Sequence, residues 1–122
     1  MDFRNIGAVA VVGSRQRTDR AFIEAVVDSI PPGVRVVSGG CRGVDTWAIE
    51  RAAARGLATT VHKPNLEGVK SRGMAARRMH ERNQVVVDDV DMVIAFVASS
   101  REGGTEDTIR RAIAAQKPVI LR

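Results

Sequence analysis

Three glycine-rich turns hold the residues of this chain whose chemistry best suits an anion. The turns contain Gly13, Ser14 and Arg15, then residues 38–45, then Gly103, Gly104 and Thr105. Glycine lets the backbone bend tightly and lets a ligand approach closely. A helix that begins after such a turn directs free N–H groups and a partial positive charge at it. The three turns therefore predict a site for phosphate.

The second turn is the richest in candidate ligands, because three of its five residues from position 39 to 43 are glycines. Its candidate phosphate-binding residues are Ser38, Gly39, Gly40, Arg42 and Gly43. Arg42 fits either a phosphate ligand or an exposed arginine. Asp45 fits either a carboxylate that complements the helix dipole, or a hydrogen-bond partner for a ribose hydroxyl or for Arg15. Cys41, the single cysteine, is interpreted as a small residue in a tight place and excludes an internal disulfide.

An arginine and an asparagine occupy an apolar helical stripe in the second half of the chain. The stripe consists of Ala75, Met79 and Val86. Arg82 and Asn83 fall on the same side of that helix. A buried charge needs a partner, which is either a structural carboxylate or a ligand phosphate. His80 lies off the stripe and is expected in solvent.

The third turn leads into a helix whose first residues are acidic. Thr105 is a candidate helix cap, and Glu106 and Asp107 suit the positive end of the helix dipole. That role explains both acids, although one carboxylate could also contact a ribose or a water molecule. The chain has no paired histidines, so a metal site is not expected. It also lacks a Walker motif, which disfavours ordinary ATP hydrolysis.

Strands and helices alternate along the whole chain, and this alternation must position the turns. Predicted strands cover residues 8–12, 34–37, 59–62, 92–97 and 119–121, and predicted helices cover 19–29, 44–55, 74–87 and 105–116. The apolar spacing predicts that Phe22 and Ile113 face the core, and residues 65–73 are predicted to form a loop. The pattern predicts an α/β Rossmann-like, doubly wound parallel sheet of five strands with helices on both faces. All three turns then follow carboxyl ends of strands, where such sheets bind ligands.

The composition fits a single domain over residues 1–122 that binds an anionic partner. The chain has 122 residues, of which 44% are apolar, and a formal net charge of +5. A positive net charge favours nucleotides or nucleic acid. With no long apolar run and no signal-peptide pattern, we expect a cytoplasmic protein without a membrane partner.

Four short motifs in this order resemble the SLOG superfamily, which unites DNA-processing protein A with the Lonely Guy proteins. They are Gly13-Ser14-Arg15, the stretch from Ser38 to Asp45, Arg82-Asn83, and Gly103-Gly104-Thr105. The resemblance implies a Rossmann-like fold that binds nucleotides, nucleotide derivatives or single-stranded DNA. Relatives are often dimers, so it also implies a homo-oligomer. It implies no cofactor.

The Lonely Guy branch implies an enzyme that cleaves the N-glycosidic bond of nucleoside 5′-monophosphates. The stretch from Met79 to Asn83 resembles its Met-His-Glu-Arg-Lys motif, which implies that Arg82 is catalytic. The family's catalytic glutamate, two residues after a Gly-Thr pair, maps to Asp107, and the neighbouring Glu106 is the other candidate acid. The chain departs from that pattern, since Asn83 replaces the lysine and Asp107 is shorter than the family's glutamate. A binding module or sensor for a nucleotide-derived small molecule is therefore the first hypothesis, and the hydrolase is the alternative.

The DNA-processing protein A branch matches through Gly-Ser-Arg and Ser-Gly-Gly-x-Arg-Gly-x-Asp. It implies binding of single-stranded DNA, which forms a third hypothesis. Aromatic residues make up only 3% of the chain, which leaves few surfaces on which bases could stack. Nucleic acid therefore ranks below a small nucleotide as the expected partner.

Overall fold

A computed structural model describes residues 1–122, in which strands and helices alternate from end to end. The elements are β1 (Ala8–Gly13), α1 (Arg20–Asp28), β2 (Arg35–Ser38), α2 (Val44–Ala54), β3 (Thr59–Val61), α3 (Arg72–Asp88), β4 (Met92–Phe96), α4 (Gly104–Ala114) and β5 (Val119–Leu121). The five strands form one parallel sheet in the order β3-β2-β1-β4-β5. The predicted Rossmann-like sheet is confirmed. No helix is both long enough and apolar enough to cross a membrane.

The central strand β1 is apolar throughout because helices cover both faces of the sheet. Val9 and Val11 pack into the core under α1 and α2. Ala8, Ala10 and Val12 point to the other face and pack against α3 and α4. Alternate residues of one strand therefore belong to two separate cores, which explains why the sequence shows a continuous apolar run.

The order of the strands reverses at β1. From β1 the chain builds outward through β2 and β3, then crosses to the other side and builds β4 and β5. Connections after β1 and β4 leave in opposite directions, so a crevice forms between the carboxyl ends of these two strands. The topology thus places the first and third glycine-rich turns on either side of this crevice.

Two predicted core residues lie at the surface instead. Phe22 is 42% exposed and Ile113 is 63% exposed. The rings of Phe22 and Phe96 form a T-shaped pair, with 6.2 Å between their centroids. In α4 Ala112 is the last residue that faces the core. Ile113 follows it one step further round the helix and therefore faces solvent.

Helix starts also differ from the prediction, because capping depends on geometry that spacing does not reveal. α3 begins at Arg72, two residues early, since Ser71 Oγ accepts a hydrogen bond from Met74 N at 3.1 Å. Thr105 does not cap α4; the cap position is Gly103, with no side-chain hydrogen bond. The first turn of α4 consequently begins without a side-chain cap.

Candidate functional site

A cavity of about 460 Å³ lies at the crevice where the strand order reverses. All three glycine-rich turns contribute to its walls, and α3 closes the remaining side. The predicted site residues in the walls are Gly13, Ser14, Arg15, Gly39, Asp45, Arg82, Asn83, Gly103, Gly104 and Thr105. The structure therefore brings ten of the sixteen predicted residues together at one edge of the sheet.

Six predicted residues lie outside the cavity walls: Ser38, Gly40, Arg42, Gly43, Glu106 and Asp107. Ser38 is fully buried, and its hydroxyl donates to Val11 O at 2.7 Å. Gly40 and Gly43 have φ values of +76° and +84°, which favour glycine over any other residue. Arg42 is exposed. In this turn the serine and these two glycines therefore have structural reasons to be present.

In the second turn, the carboxylate of Asp45 accepts the backbone hydrogen bonds that a bound anion would otherwise accept. Its Oδ2 accepts hydrogen bonds from Gly39 N and Cys41 N, each at 3.2 Å. Burial raises the pKa of the Asp45 carboxyl, and the hydrogen bonds from Cys41 and Gly39 only partly offset this. These two amides are consequently engaged within the chain, and Asp45 does not form the predicted bond to Arg15.

Arg82 is buried, with 8% of its surface exposed, and backbone carbonyls accept hydrogen bonds from its Nη1. Its Nη1 donates to Gly39 O, and more weakly to His62 O at 3.4 Å. A Cβ atom on Gly39 would lie 2.7 Å from Arg82 Cζ, so position 39 has no room for a side chain. Of the two predicted partners, the structural carboxylate is not found: carbonyl oxygens of Gly39 and His62 and the amide oxygen of Asn83 accept from Arg82. The ligand phosphate stays a prediction.

Asn83 connects this arginine to the third turn. Its Oδ1 accepts from Arg82 Nε at 3.1 Å, while its Nδ2 donates to Asp107 Oδ2 at 3.0 Å and to Gly104 O at 3.4 Å. Asn83 is only 6% exposed. A single side-chain amide thus fixes the second and third turns relative to each other.

The two acids that the enzyme alternative needs are held by arginines. Arg111 Nε donates to Asp107 Oδ2 at 2.7 Å, and Arg101 Nε donates to Glu106 Oε2 at 2.9 Å. Burial works to raise the pKa of Asp107, but hydrogen bonds from Arg111 and Asn83 outweigh it and lower the pKa overall. Of the three candidate catalytic residues, only Arg82 lines the cavity.

The start of α4 offers backbone donors beside the cavity. Gly103, at φ +97°, precedes α4 and supplies no side-chain cap, so backbone N–H groups of the first helical turn are left for another acceptor. Gly103, Gly104 and Thr105 all border the cavity. Arg15 also borders it and makes no ion pair with a carboxylate. This combination suits a phosphate or another anion.

Sequence reasoning missed some of the cavity walls. His80 is exposed as predicted, but it also lines the cavity, as does Cys41. A usable signal existed for His80, because it stands three positions before Asn83 and residues at this spacing share one helix face. For Cys41 the turn composition gave no such signal.

Comparison with known proteins agrees with this geometry. The family model for DNA recombination-mediator protein A matches residues 1–64. The X-ray structure of DNA processing protein A from Streptococcus pneumoniae superposes with a TM-score of 0.77 at 20% sequence identity. That match covers 96% of this chain and 50% of the other, so this chain spans half the length of that structure. Curated protein sequences gave no match.

The structural match establishes the shared fold, and the sequence match establishes the family. The matched segment includes β1, the first turn, β2, the whole second turn and α2. It covers 64 of 122 residues, slightly more than half of the chain. The resemblance to the SLOG superfamily is thereby confirmed on its DNA-processing side. The chain belongs to the DNA recombination-mediator protein A family.

Proposed function

We propose that this chain binds a phosphorylated nucleotide in the cavity between β1 and β4. One observation carries the proposal: the uncapped first turn of α4 borders a cavity that Arg15 and Arg82 also line. Amide donors, a helix dipole and guanidinium groups are the usual means of holding phosphate. The volume of about 460 Å³ falls within the range of sites for small ligands.

The distribution of unpaired charge supports an anionic ligand at this edge. Nine of the 19 lysines and arginines pair with carboxylates, which leaves 10. Lys117 caps the end of α3, and Arg122 lies over the ring of Phe22. The remaining eight are Arg15, Arg42, Lys63, Lys70, Arg72, Arg77, Arg78 and Arg82. They follow strand ends or occupy α3 and the loop before it, so the excess positive charge surrounds the cavity region.

Single-stranded nucleic acid is the second candidate, because the unpaired cations extend beyond the cavity. Arg42, Lys70, Arg72 and Arg77 carry charge that a mononucleotide in the cavity would not contact. A family of DNA recombination mediators makes a nucleic-acid chain a natural ligand for them. No phenylalanine, tyrosine or tryptophan lines the cavity, so binding would depend mainly on phosphate contacts and would tolerate different sequences.

Calorimetric titration with thymidine 5′-monophosphate and with a single-stranded oligothymidine tests both candidates. Arg15→Ala should weaken monophosphate binding on the order of tenfold, the effect of one charged contact. Arg42→Ala is the matched control, because Arg42 is exposed in a neighbouring turn but lies outside the cavity walls. It should leave monophosphate binding unchanged.

The oligonucleotide separates the two candidates. If it is the ligand, both variants should weaken its binding, and affinity should fall steeply with salt. A monophosphate that does not bind, or that binds equally to both variants, would contradict a phosphate site in the cavity. Free base should be measured in the same samples, although nothing in the geometry of Asp107 and Glu106 favours the hydrolase.

A further inference from the structure

A second cavity of about 310 Å³ lies beside the edge strand β3. Its walls include His62, Lys63, Arg78, Glu81 and Arg82. Arg82 also lines the first cavity, so a single guanidinium belongs to both. The two cavities are therefore neighbours that share one positively charged wall.

Positive charge in the second cavity is not neutralised by the protein. Lys63 and Arg78 form no ion pair, and Glu81 is the only acid in the walls, against three cations. Arg78 and Arg82 are four residues apart on α3, a spacing at which like charges destabilise a helix. An arrangement that costs stability and remains uncompensated suits an anionic ligand.

The imidazole of His62 is fixed by neighbours on its other side. His62 Nε2 lies 2.7 Å from Asp89 Oδ2, and Arg35 holds the same carboxylate through two hydrogen bonds at 2.8 and 2.9 Å. Asp89 does not line the cavity. Its charge is therefore already balanced by Arg35, and it does not neutralise Lys63 or Arg78.

The second glycine-rich turn lies next to residues of both cavities. Gly39 is close to Arg82, and Gly40 is close to Val61 and Lys63. A Cβ on Gly40 would lie 3.5 Å from Lys63 Cγ and 2.9 Å from Val61 Cγ1. The aliphatic part of Lys63 and the guanidinium of Arg82 therefore both lie next to this turn.

We propose that the second cavity binds a second phosphate group of the ligand that occupies the first cavity. This inference rests on the proposed function. It specifies a ligand with two separate phosphates, held by Arg15 and the α4 turn at one end and by Lys63 and Arg78 at the other. Arg82 lies between them. A nucleoside bisphosphate and a phosphorylated dinucleotide both carry this chemistry, with different spacing between the phosphates.

Calorimetry with three ligands tests the inference: thymidine 5′-monophosphate, thymidine 3′,5′-bisphosphate and 5′-phosphorylated dithymidine. At least one two-phosphate ligand should bind on the order of tenfold or more tighter than the monophosphate, the effect of added charged contacts. Lys63→Ala and Arg78→Gln should remove this gain and leave monophosphate binding unchanged. Arg77→Gln is the matched control, since Arg77 is an exposed neighbour outside both cavities. It should retain the gain.

Two outcomes would overturn the second phosphate site. One is equal affinity of the wild-type protein for all three ligands, and the other is a gain that survives Lys63→Ala and Arg78→Gln. In either case monophosphate binding would still stand, so the proposed function would survive alone. If the monophosphate does not bind, both proposals fail. Because that ligand is measured with every variant, its binding also shows that each variant is folded.

Discussion

The side-chain amide of Asn83 holds two of the cavity's turns together, and Asn83→Asp tests that role. In the wild-type protein Nδ2 donates to Asp107 Oδ2 at 3.0 Å, and Oδ1 accepts from Arg82 Nε at 3.1 Å. The substitution keeps the shape of the side chain and the acceptor for Arg82. It replaces the donor with a carboxylate oxygen that faces another carboxylate.

The expected loss follows from three energies. Two charges 3.0 Å apart repel by about 5 kcal/mol at an effective dielectric constant of about 20. Attraction between the new carboxylate and Arg82 acts over nearly the same distance and offsets most of this repulsion. What remains is the lost hydrogen bond to a charged acceptor, worth about 1.5–3 kcal/mol. We therefore expect Asn83→Asp to lower the free energy of unfolding at pH 7 by about 2–3 kcal/mol.

The loss should also depend on pH in a known direction. In the wild-type protein, burial works to raise the pKa of Asp107, but hydrogen bonds from Arg111 and Asn83 lower it overall. The stabilisation from Asp107 is therefore present at neutral pH and is lost as pH falls below the usual carboxyl pKa of about 4. In the variant, one proton shared by the two carboxyls would restore a donor. The difference in free energy of unfolding between Asn83→Asp and the wild type should then become smaller as pH falls toward about 4.

Urea unfolding followed by circular dichroism at pH 7 and at lower pH measures this difference. Asn83→Leu is the control, because it loses the same hydrogen bond without adding a charge. The double variant Asn83→Asp/Asp107→Asn exchanges donor and acceptor, but it also loses the ion pair between Asp107 and Arg111. It should therefore lose less stability than the sum of the losses in the two single variants. The reasoning is refuted if Asn83→Asp stays within about 0.5 kcal/mol of the wild type, or if the losses of the two single variants simply add.

Two further substitutions test the packing and the charges around the site. Gly13→Ala should lower the free energy of unfolding by about 2 kcal/mol, because its Cβ would lie 2.6 Å from the fully buried, branched Val44. Gly7→Ala, whose Cβ would meet only an aspartate oxygen at 3.5 Å, should cost much less, and equal losses in urea unfolding would contradict this. Hydrogen bonds from Arg35 hold the pKa of Asp89 well below its usual range, so Asp89→Asn should destabilise the protein at pH 7. The difference in free energy of unfolding between Asp89→Asn and the wild type should shrink as pH falls through the lowered pKa of Asp89. A difference that does not change with pH would count against the ion pair between Asp89 and Arg35.

The arrangement of strands could be predicted because both faces of the sheet are covered. Burial on both sides produces uninterrupted apolar runs, as in Ala8–Gly13 and Met92–Phe96, and such runs are visible without any structure. Parallel topology then places every strand-to-helix turn at one edge. The exact helix starts could not be predicted, since the hydroxyl of Ser71 decides one of them through a local hydrogen bond.

The members of the site were easier to predict than their contacts. Helical spacing correctly placed Arg82 and Asn83 on the inward side of α3, where both are buried. It could not identify carbonyl oxygens as partners of Arg82, because Gly39 and His62 lie 43 and 20 residues earlier in the chain and only the fold brings them to α3.

Two glycine-rich turns of similar composition differ in the contacts of the acids that follow them. Asp45 is the second residue of α2, and its carboxylate turns back to accept the amides of the turn itself. In α4 the acids are the third and fourth residues, and arginines hold both of them. Asp45 thus occupies the amides of Gly39 and Cys41, whereas no side chain caps the first N–H groups of α4. A glycine-rich turn therefore predicts a phosphate site only when no carboxylate of the chain already accepts its N–H groups.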